Sequence, residues 1–496
     1  MTINVKTIQT APSKRVSGAW FWVLGAAAAV IAAVLLFADL DRLLVGGLVI
    51  VLLLLLMLLT VPIGFAMITA SVIGLLALGG SRAMESSVQS ILFDGLASWT
   101  MAVVPLFVLM GIALSHSGVT TRAYEAASQW LGKLPGGLAV STTVAGAGLA
   151  TTSGSTTAIS MSLGRMAIPE MLRAGYSPSL ATGSVAIAGT LGQIIPPSIL
   201  LVIYAGIAET SVGSQLMAGM IPGLILALGF VIVIVVWATL KPGIAPRADQ
   251  TGITWATRLR SAIGMSPLIL VAVIVLGGLA LGLFTANEAA AWGALAALVI
   301  GVIRLPKGQR NLRGAGVFGR QVFMDTVSSV AGLFILVVGA LMLGRALTLS
   351  GLARWMGEVL TDMNLDRVSL LLVLIVAYII LGMFLESLPM MLLTIPILQV
   401  PLEAVGVDMI WFGIFIVIMC EIGMVFPPIG MLTFIVHRLV QNPSINLGTK
   451  ISLVDVFKGI MPFMVALIGL TVLIIFVPDL VLWLPEAIQD ANAVKP

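Results

Sequence analysis

The chain has 496 residues, 59% of them hydrophobic and only 9% charged, against roughly half and a quarter in a soluble domain, so a water-soluble globular protein is excluded. The net charge of +4 is scattered through short loops with no basic patch or interleaved aromatics, which excludes a nucleic-acid partner. Cys420 is the only cysteine and His116 and His437 the only histidines, which excludes an internal disulfide, a cysteine cage and a paired-imidazole metal site.

The first apolar stretch, 18–38, follows Lys6, Lys14 and Arg15 in the manner of a signal sequence. Its apolar part is too long for one and no small-x-small cleavage site immediately precedes Asp39, so it is expected to remain as a membrane helix. Further apolar segments are expected at 43–60, 61–79, 99–115, 137–168, 178–207, 216–239, 266–284, 287–303, 322–346, 368–399, 409–440 and 460–478. A hydrocarbon core of ~30 Å takes about 20 helical residues, so these read as an all-α polytopic membrane protein embedded in a lipid bilayer.

Four of the segments are interrupted. Ser153-Gly154-Ser155-Thr156-Thr157 divides 137–168 and Glu386-Ser387-Leu388-Pro389 divides 368–399. The halves are too short to cross separately, so both segments read as re-entrant helical hairpins. Pro196-Pro197 and Pro427-Pro428 sit in the middle of 178–207 and 409–440. Proline lacks an N–H and breaks a helix, so these read as discontinuous helices. Non-helical backbone at membrane depth is tolerated where it is buried in protein or lines a wet cavity, and four breaks imply such a cavity.

With the N-terminus placed inside, most Lys and Arg fall on the cytoplasmic side, in the N-terminal tail and around 122–133, 165–173, 241–260, 304–320 and 438–458. Asp39, Asp41, Glu85, Glu209, Glu358, Asp366, Asp408, Asp479, Glu486 and Asp490 fall outside, and the C-terminus with them. The segregation holds only if each hairpin returns to its own side, so the two hairpins enter from opposite sides. A shift of 231 residues lays Pro196-Pro197 on Pro427-Pro428, Gly192 on Gly423 and Ser155-Thr156 on Glu386-Ser387. A shift of 233 lays Ser117-Gly118 on Ser350-Gly351. The expected organisation is therefore an N-terminal tail and additional helix at 1–42, a first inverted repeat at 43–240, a cytoplasmic connector at 241–265, a second repeat at 266–478 and a C-terminal tail at 479–496.

Half-helix ends supply free N–H groups for anions and free carbonyls for hard cations. A sodium site is expected from the hydroxyls of Ser153 and Ser155 with carbonyls around Gly192, Ile195 and Pro197, where proline has removed donors. Ser155 and its neighbours are also expected to cap the returning half-helix. Glu386, at a hairpin tip, is a candidate for substrate or proton contact, with Ser155, Thr156, Thr157 and Ser387 beside it. For Glu421, near the second Pro-Pro break, structural and functional roles stay open. Glu288, after Thr285-Ala286-Asn287, is expected to satisfy the donors at a helix start. No GxxxxGK[ST], HExxH or GxSxG motif is present, so energy from nucleotide hydrolysis and the corresponding enzyme chemistries are not expected. No catalytic residue and no cofactor beyond coupling ions is expected.

Several motifs in order match one family. They are Thr60-Val61-Pro62-Ile63-Gly64-Phe65-Ala66, Pro105-Leu106-Phe107 with Gly111, Leu134-Pro135-Gly136-Gly137, Ser153-Gly154-Ser155, Pro169-Glu170-Met171 with Gly175-Tyr176, and Gly189-Thr190-Leu191-Gly192 with Pro196-Pro197-Ser198. Phe284-Thr285 with Glu288-Ala289-Ala290, and Glu421-Ile422-Gly423 with Pro427-Pro428-Ile429-Gly430, continue the series. From about residue 43 to 478 the chain resembles the large membrane subunit of tripartite ATP-independent periplasmic (TRAP) transporters, the DctM-like proteins.

The resemblance implies an elevator-type fold of the ion-transporter superfamily and sodium-coupled uptake of an organic acid such as a C4-dicarboxylate or sialic acid. It implies two partners, a small DctQ-like membrane subunit and a periplasmic substrate-binding protein, in a bacterial inner membrane. No four-helix segment representing a fused small subunit is read in the sequence. The family's sodium ligands carry over to Ser153, Ser155, Gly192, Ile195 and Pro197 and, through the repeat, to Ser387, Gly423, Phe426 and Pro428. The second tip departs from the family's Asp-Pro-Thr-like sequence, as Glu386-Ser387-Leu388-Pro389. A carrier of the same superfamily that works without a binding protein is the alternative.

Overall fold

A computed structural model describes residues 19–246, 254–363 and 365–493; Lys6, Lys14, Arg15 and Arg247 lie outside the described residues. The described residues form helices and turns with no strand. Eight helices are long and apolar enough to cross a bilayer, or up to ten spans if each of two bent pairs is one.

The chain opens with α1 (Ala19–Phe37), α2 (Arg42–Leu58) and α3 (Ile63–Ser90). The apolar segment expected to end at 79 continues instead through a kink at Gly79-Gly80, where Gly80 takes φ +68°. After α4 (Val103–His116) the chain turns through 66° into α5 (Val119–Leu131), with Gly118 at φ +72° between them. A first helical hairpin follows, α6 (Gly137–Ser153) and α7 (Thr156–Arg173). Then comes a broken helix, α8 (Pro178–Ile194) and α9 (Ile199–Ile207), bent by 40°. The short α10 (Val212–Ala218) and the apolar α11 (Met220–Leu240) complete this half.

The second half opens with α12 (Trp255–Ala272), which runs through a π-helical turn into α13 (Gly278–Ala280). Thr254 caps α12, which therefore begins inside the stretch read as connector; Arg258 and Arg260 mask its first turns in hydropathy. Next come α14 (Ala286–Ile303), α15 (Leu312–Leu349) and α16 (Leu352–Asp362). The second hairpin is α17 (Arg367–Gly382) with α18 (Ser387–Ala404), and the second broken helix is α19 (Met409–Val425) with α20 (Met431–Leu439). The last elements are α21 (Pro443–Asn446), α22 (Leu453–Phe476) and α23 (Asp479–Ala493); the last is helical where a tail was expected.

The order of elements in the two halves corresponds. Gly118 and Gly351 (φ +76°) both turn a long helix into an amphipathic one, α4 into α5 and α15 into α16. Ile195 (φ −76°, ψ 125°) and Phe426 (φ −73°, ψ 132°) end α8 and α19 in almost the same extended conformation. Each is followed by a cis Pro-Pro bond.

α8 and α19 form the centre and are buried along nearly their whole length. α8 packs against α6, α7 and α22, while α19 packs against α17, α18 and α22. In a bilayer, association rests on close packing and small residues more than on escape from water. A Cβ on Gly183 of α8 would overlap the Gly459 carbonyl of α22. A Cβ on Gly423 of α19 would lie 2.6 Å from the Gly382 Cα of α17. Around this centre α15 lies along α3 and touches α4, and α14 packs on α4.

Candidate transport site

At the first hairpin tip α6 ends in Gly154, whose φ of +53° suits a residue without a Cβ; an added Cβ would also press within 3.1 Å of the Ile199 nitrogen. Ser155 then takes an extended conformation and accepts a hydrogen bond from the Ala158 N–H at 3.4 Å, the cap expected from its sequence. At the second tip Glu386 is the residue before α18, yet its side chain makes no capping bond and its carboxylate stays exposed. Both returning helices thus begin at a tip carrying polar side chains.

Each Pro-Pro break packs against the hairpin of its own half. Gly192 lies against Ile159 and the Ser155 backbone of the first hairpin, and Gly423 against Gly382 of the second. Pro196 and Pro197 cannot donate to the carbonyls four residues earlier, those of Gly192 and Gln193. Pro427 and Pro428 leave Gly423 and Met424 in the same position, and Gly423 retains only a long 3.4 Å bond from the Phe426 N–H. Ile195 and Pro197 are buried, whereas Phe426 is half-buried and Pro428 exposed. The Ser153 side chain lies outside the described residues.

One cavity of about 430 Å³ joins the two tips. Gly154, Ser155 and Thr157 line it from the first hairpin, and Glu386, Ser387 and Leu388 from the second. Its opposite wall is built by Val108, Gly111, Ile112 and Ser115 of α4 and by Ser329, Leu333 and Leu336 of α15. Gln193 also lines it, and its side-chain oxygen is closed off from solvent without a hydrogen-bond partner. A polar residue beside a helix break in an otherwise apolar run was the available signal for Gln193. Among the described residues, Glu386 is the only charged one in the lining.

Thr156 is not part of that wall. It is fully buried and donates to Glu421 Oε2 at 2.8 Å. Ser387 donates to Oε1 of the same carboxylate at 3.1 Å and also approaches the Met424 sulfur at 2.8 Å. The Cys420 thiol donates to the Ser387 carbonyl at 3.5 Å. Elsewhere, Glu288 forms the expected capping box with Thr285 and takes no part in the site. His116, at the end of α4, pairs with Asp325 of α15 at 2.8 Å.

The described residues thus form an all-helical polytopic membrane protein, with eight or more helices long and apolar enough to cross a bilayer and a partly polar cavity between two hairpin tips. Residues 50–480 match the family described as the tripartite ATP-independent periplasmic transporter, DctM component, and the chain belongs to that family. It is thus a multi-pass bacterial membrane protein of the class that carries out secondary transport of organic acids.

The chain is 30% identical over 449 residues to the C4-dicarboxylate TRAP transporter large permease protein DctM of Vibrio cholerae, covering 88% of this chain and 96% of that one. It is 29% identical to the sialic acid TRAP transporter large permease protein SiaM of the same species, over 86% of this chain and 95% of the other. The ectoine TRAP transporter large permease protein TeaC of Halomonas elongata is 28% identical, over 86% and 95%. Among solved structures, the YdaH transporter of Alcanivorax borkumensis shares the fold with a TM-score of 0.58 at 14% identity, covering 83% of this chain and 90% of that one.

Proposed function

We propose that the chain is the translocating subunit of a TRAP transporter that takes up an organic acid with sodium. The observation that carries this reading is the single cavity lined by both hairpin tips and by α4 and α15. Its ligand would contact Ser155, Thr157, Glu386 and Ser387, with Thr156 immediately behind. Sodium would be held near Ser153 and Ser155 with the carbonyls of Gly192, Ile195 and Pro197, and in the second half near Ser387, Gly423, Phe426 and Pro428. Support for cation sites comes from the carbonyls that the prolines deprive of helical donors.

The two hairpins and two broken helices would move together past α4 and α15 as an elevator, with the halves arranged as inverted repeats. The termini would lie on opposite sides of the inner membrane, the N-terminus cytoplasmic and the C-terminus periplasmic. The partners would be a small membrane subunit and a periplasmic binding protein. A relative named the isethionate TRAP transporter permease protein DctMQ, 30% identical over 397 residues, supports the first, since this chain covers only 60% of it.

The test is uptake of labelled succinate, N-acetylneuraminate and ectoine into proteoliposomes holding this chain with both partners. Uptake of one of these acids is expected to need a sodium gradient and both partners. Ser155→Ala is expected to raise the sodium concentration for half-maximal uptake about tenfold, by removing one hydroxyl ligand. Undiminished uptake with choline in place of sodium would sink the coupling.

A further inference from the structure

Glu421 has no place in the cavity lining and no exposed surface, yet it is a carboxyl group near the C-terminal end of α19, a helix buried along nearly its whole length. Its two oxygens are divided between the two hairpins. Oε2 accepts from Thr156, the first residue of α7, and Oε1 accepts from Ser387, the first residue of α18. The residues bonded are 265 and 34 positions away in the chain, so a single side chain on a third element holds the starts of both returning helices.

The chemistry of the arrangement is specific. A carboxyl group that accepts from a hydroxyl at the start of each returning helix has both oxygens satisfied where solvent cannot reach. Among the described residues no basic side chain forms an ion pair with Glu421. A group whose only task was to fill space here would be apolar, because burying a carboxyl group without full compensation is costly. The grip is reinforced on the second side, where Cys420 bonds the Ser387 carbonyl and Met424 meets its hydroxyl.

We propose that Glu421 is a positioning residue that latches the two hairpin tips to each other, so that both polar walls of the cavity open and close as one unit. The proposal rests on the reading of the tips as the transport site and adds a link between them. Loosening either bond to Glu421 then frees the opposite tip as well as the near one.

The experiment follows each tip separately in the chain assembled with its partners in nanodiscs, with no transported ligand present. Thr157→Cys reports the first tip and Glu386→Cys the second, through their labelling rates with a water-soluble maleimide; the native Cys420 is buried and serves as a silent background. Ser387→Ala is expected to speed labelling at position 157, and Thr156→Val to speed labelling at position 386, each by roughly tenfold, the upper scale of a net hydrogen bond. Glu421→Leu, which removes both acceptors, is expected to speed both, and adding Ser387→Ala or Thr156→Val to it should bring no further gain. Thr156→Ser, which keeps the hydroxyl, restores the parent rate at position 386. Effects confined to the mutated hairpin, or parent rates at both tips in Glu421→Leu, would overturn the latch. Because labelling needs neither sodium nor substrate, failure of the latch is separable from failure of the transport reading, which the uptake assay decides.

Discussion

Glu386 and Thr156 show how polar residues at the two hairpin tips acquire different work. Glu386 caps α18 in position only, leaving its carboxylate exposed on the cavity wall, whereas Thr156 turns inward to a buried acid. Glu386→Gln keeps the shape and removes the one charge of the lining, so KM for the transported acid is expected to change about tenfold, while the thermal midpoint stays within a few degrees. An unchanged KM in initial-rate uptake would remove Glu386 from the substrate contacts. Much at this scale was legible in the sequence: Ser155 as a cap, Glu288 as a helix-start carboxylate and the prolines as breaks are local rules of backbone bonding. The bonds of Thr156 and Ser387 to Glu421 were not legible, because they join three elements whose proximity only the packed fold creates.

At the scale of elements, the long apolar spans and both hairpins could be read from hydropathy and from the residues that interrupt it. The amphipathic α5 and α16 could not, since charges such as Arg122, Glu125, Arg354 and Glu358 depress their hydropathy while their other faces pack on neighbours. α12 and α23 were shortened or missed because Arg258 and Arg260 in one, and Asp479, Pro485 and Glu486 in the other, read as loop. Contact between α17 and α19 depends on two facing glycines, with a Cβ on Gly382 falling 2.5 Å from the Gly423 Cα. Gly382→Val should therefore push the second hairpin off its broken helix, at a cost of about 3 kcal/mol or more, above the usual range for overpacking because backbone must move. The expected result is loss of monodisperse protein in size-exclusion chromatography; a normal yield with a normal thermal midpoint would contradict the close approach. The same geometry makes large substitutions at Gly423 a poor probe of its carbonyl.

For the whole molecule, the cavity lies between two bodies of elements, with α4 and α15 on one side and the hairpins with their broken helices on the other. If these bodies slide past each other during transport, a covalent tie across the cavity must stop the cycle. Ile112→Cys on α4 with Leu388→Cys on the second tip is expected to abolish uptake after mild oxidation, with recovery on adding reductant. Full uptake by protein shown to be cross-linked on a gel would rule out the sliding.

The 38 residues of α15 have a further consequence. At 1.5 Å per residue the helix is about 57 Å long, nearly twice the ~30 Å thickness of the hydrocarbon layer. A strut of that length meets a thinner or thicker bilayer by leaning. Ser329, Leu333 and Leu336, its contribution to the cavity, lie close to its midpoint, and its far end carries α16 through the turn at Gly351. A lean of the strut about that midpoint would swing its ends, α16 among them, more than the cavity wall.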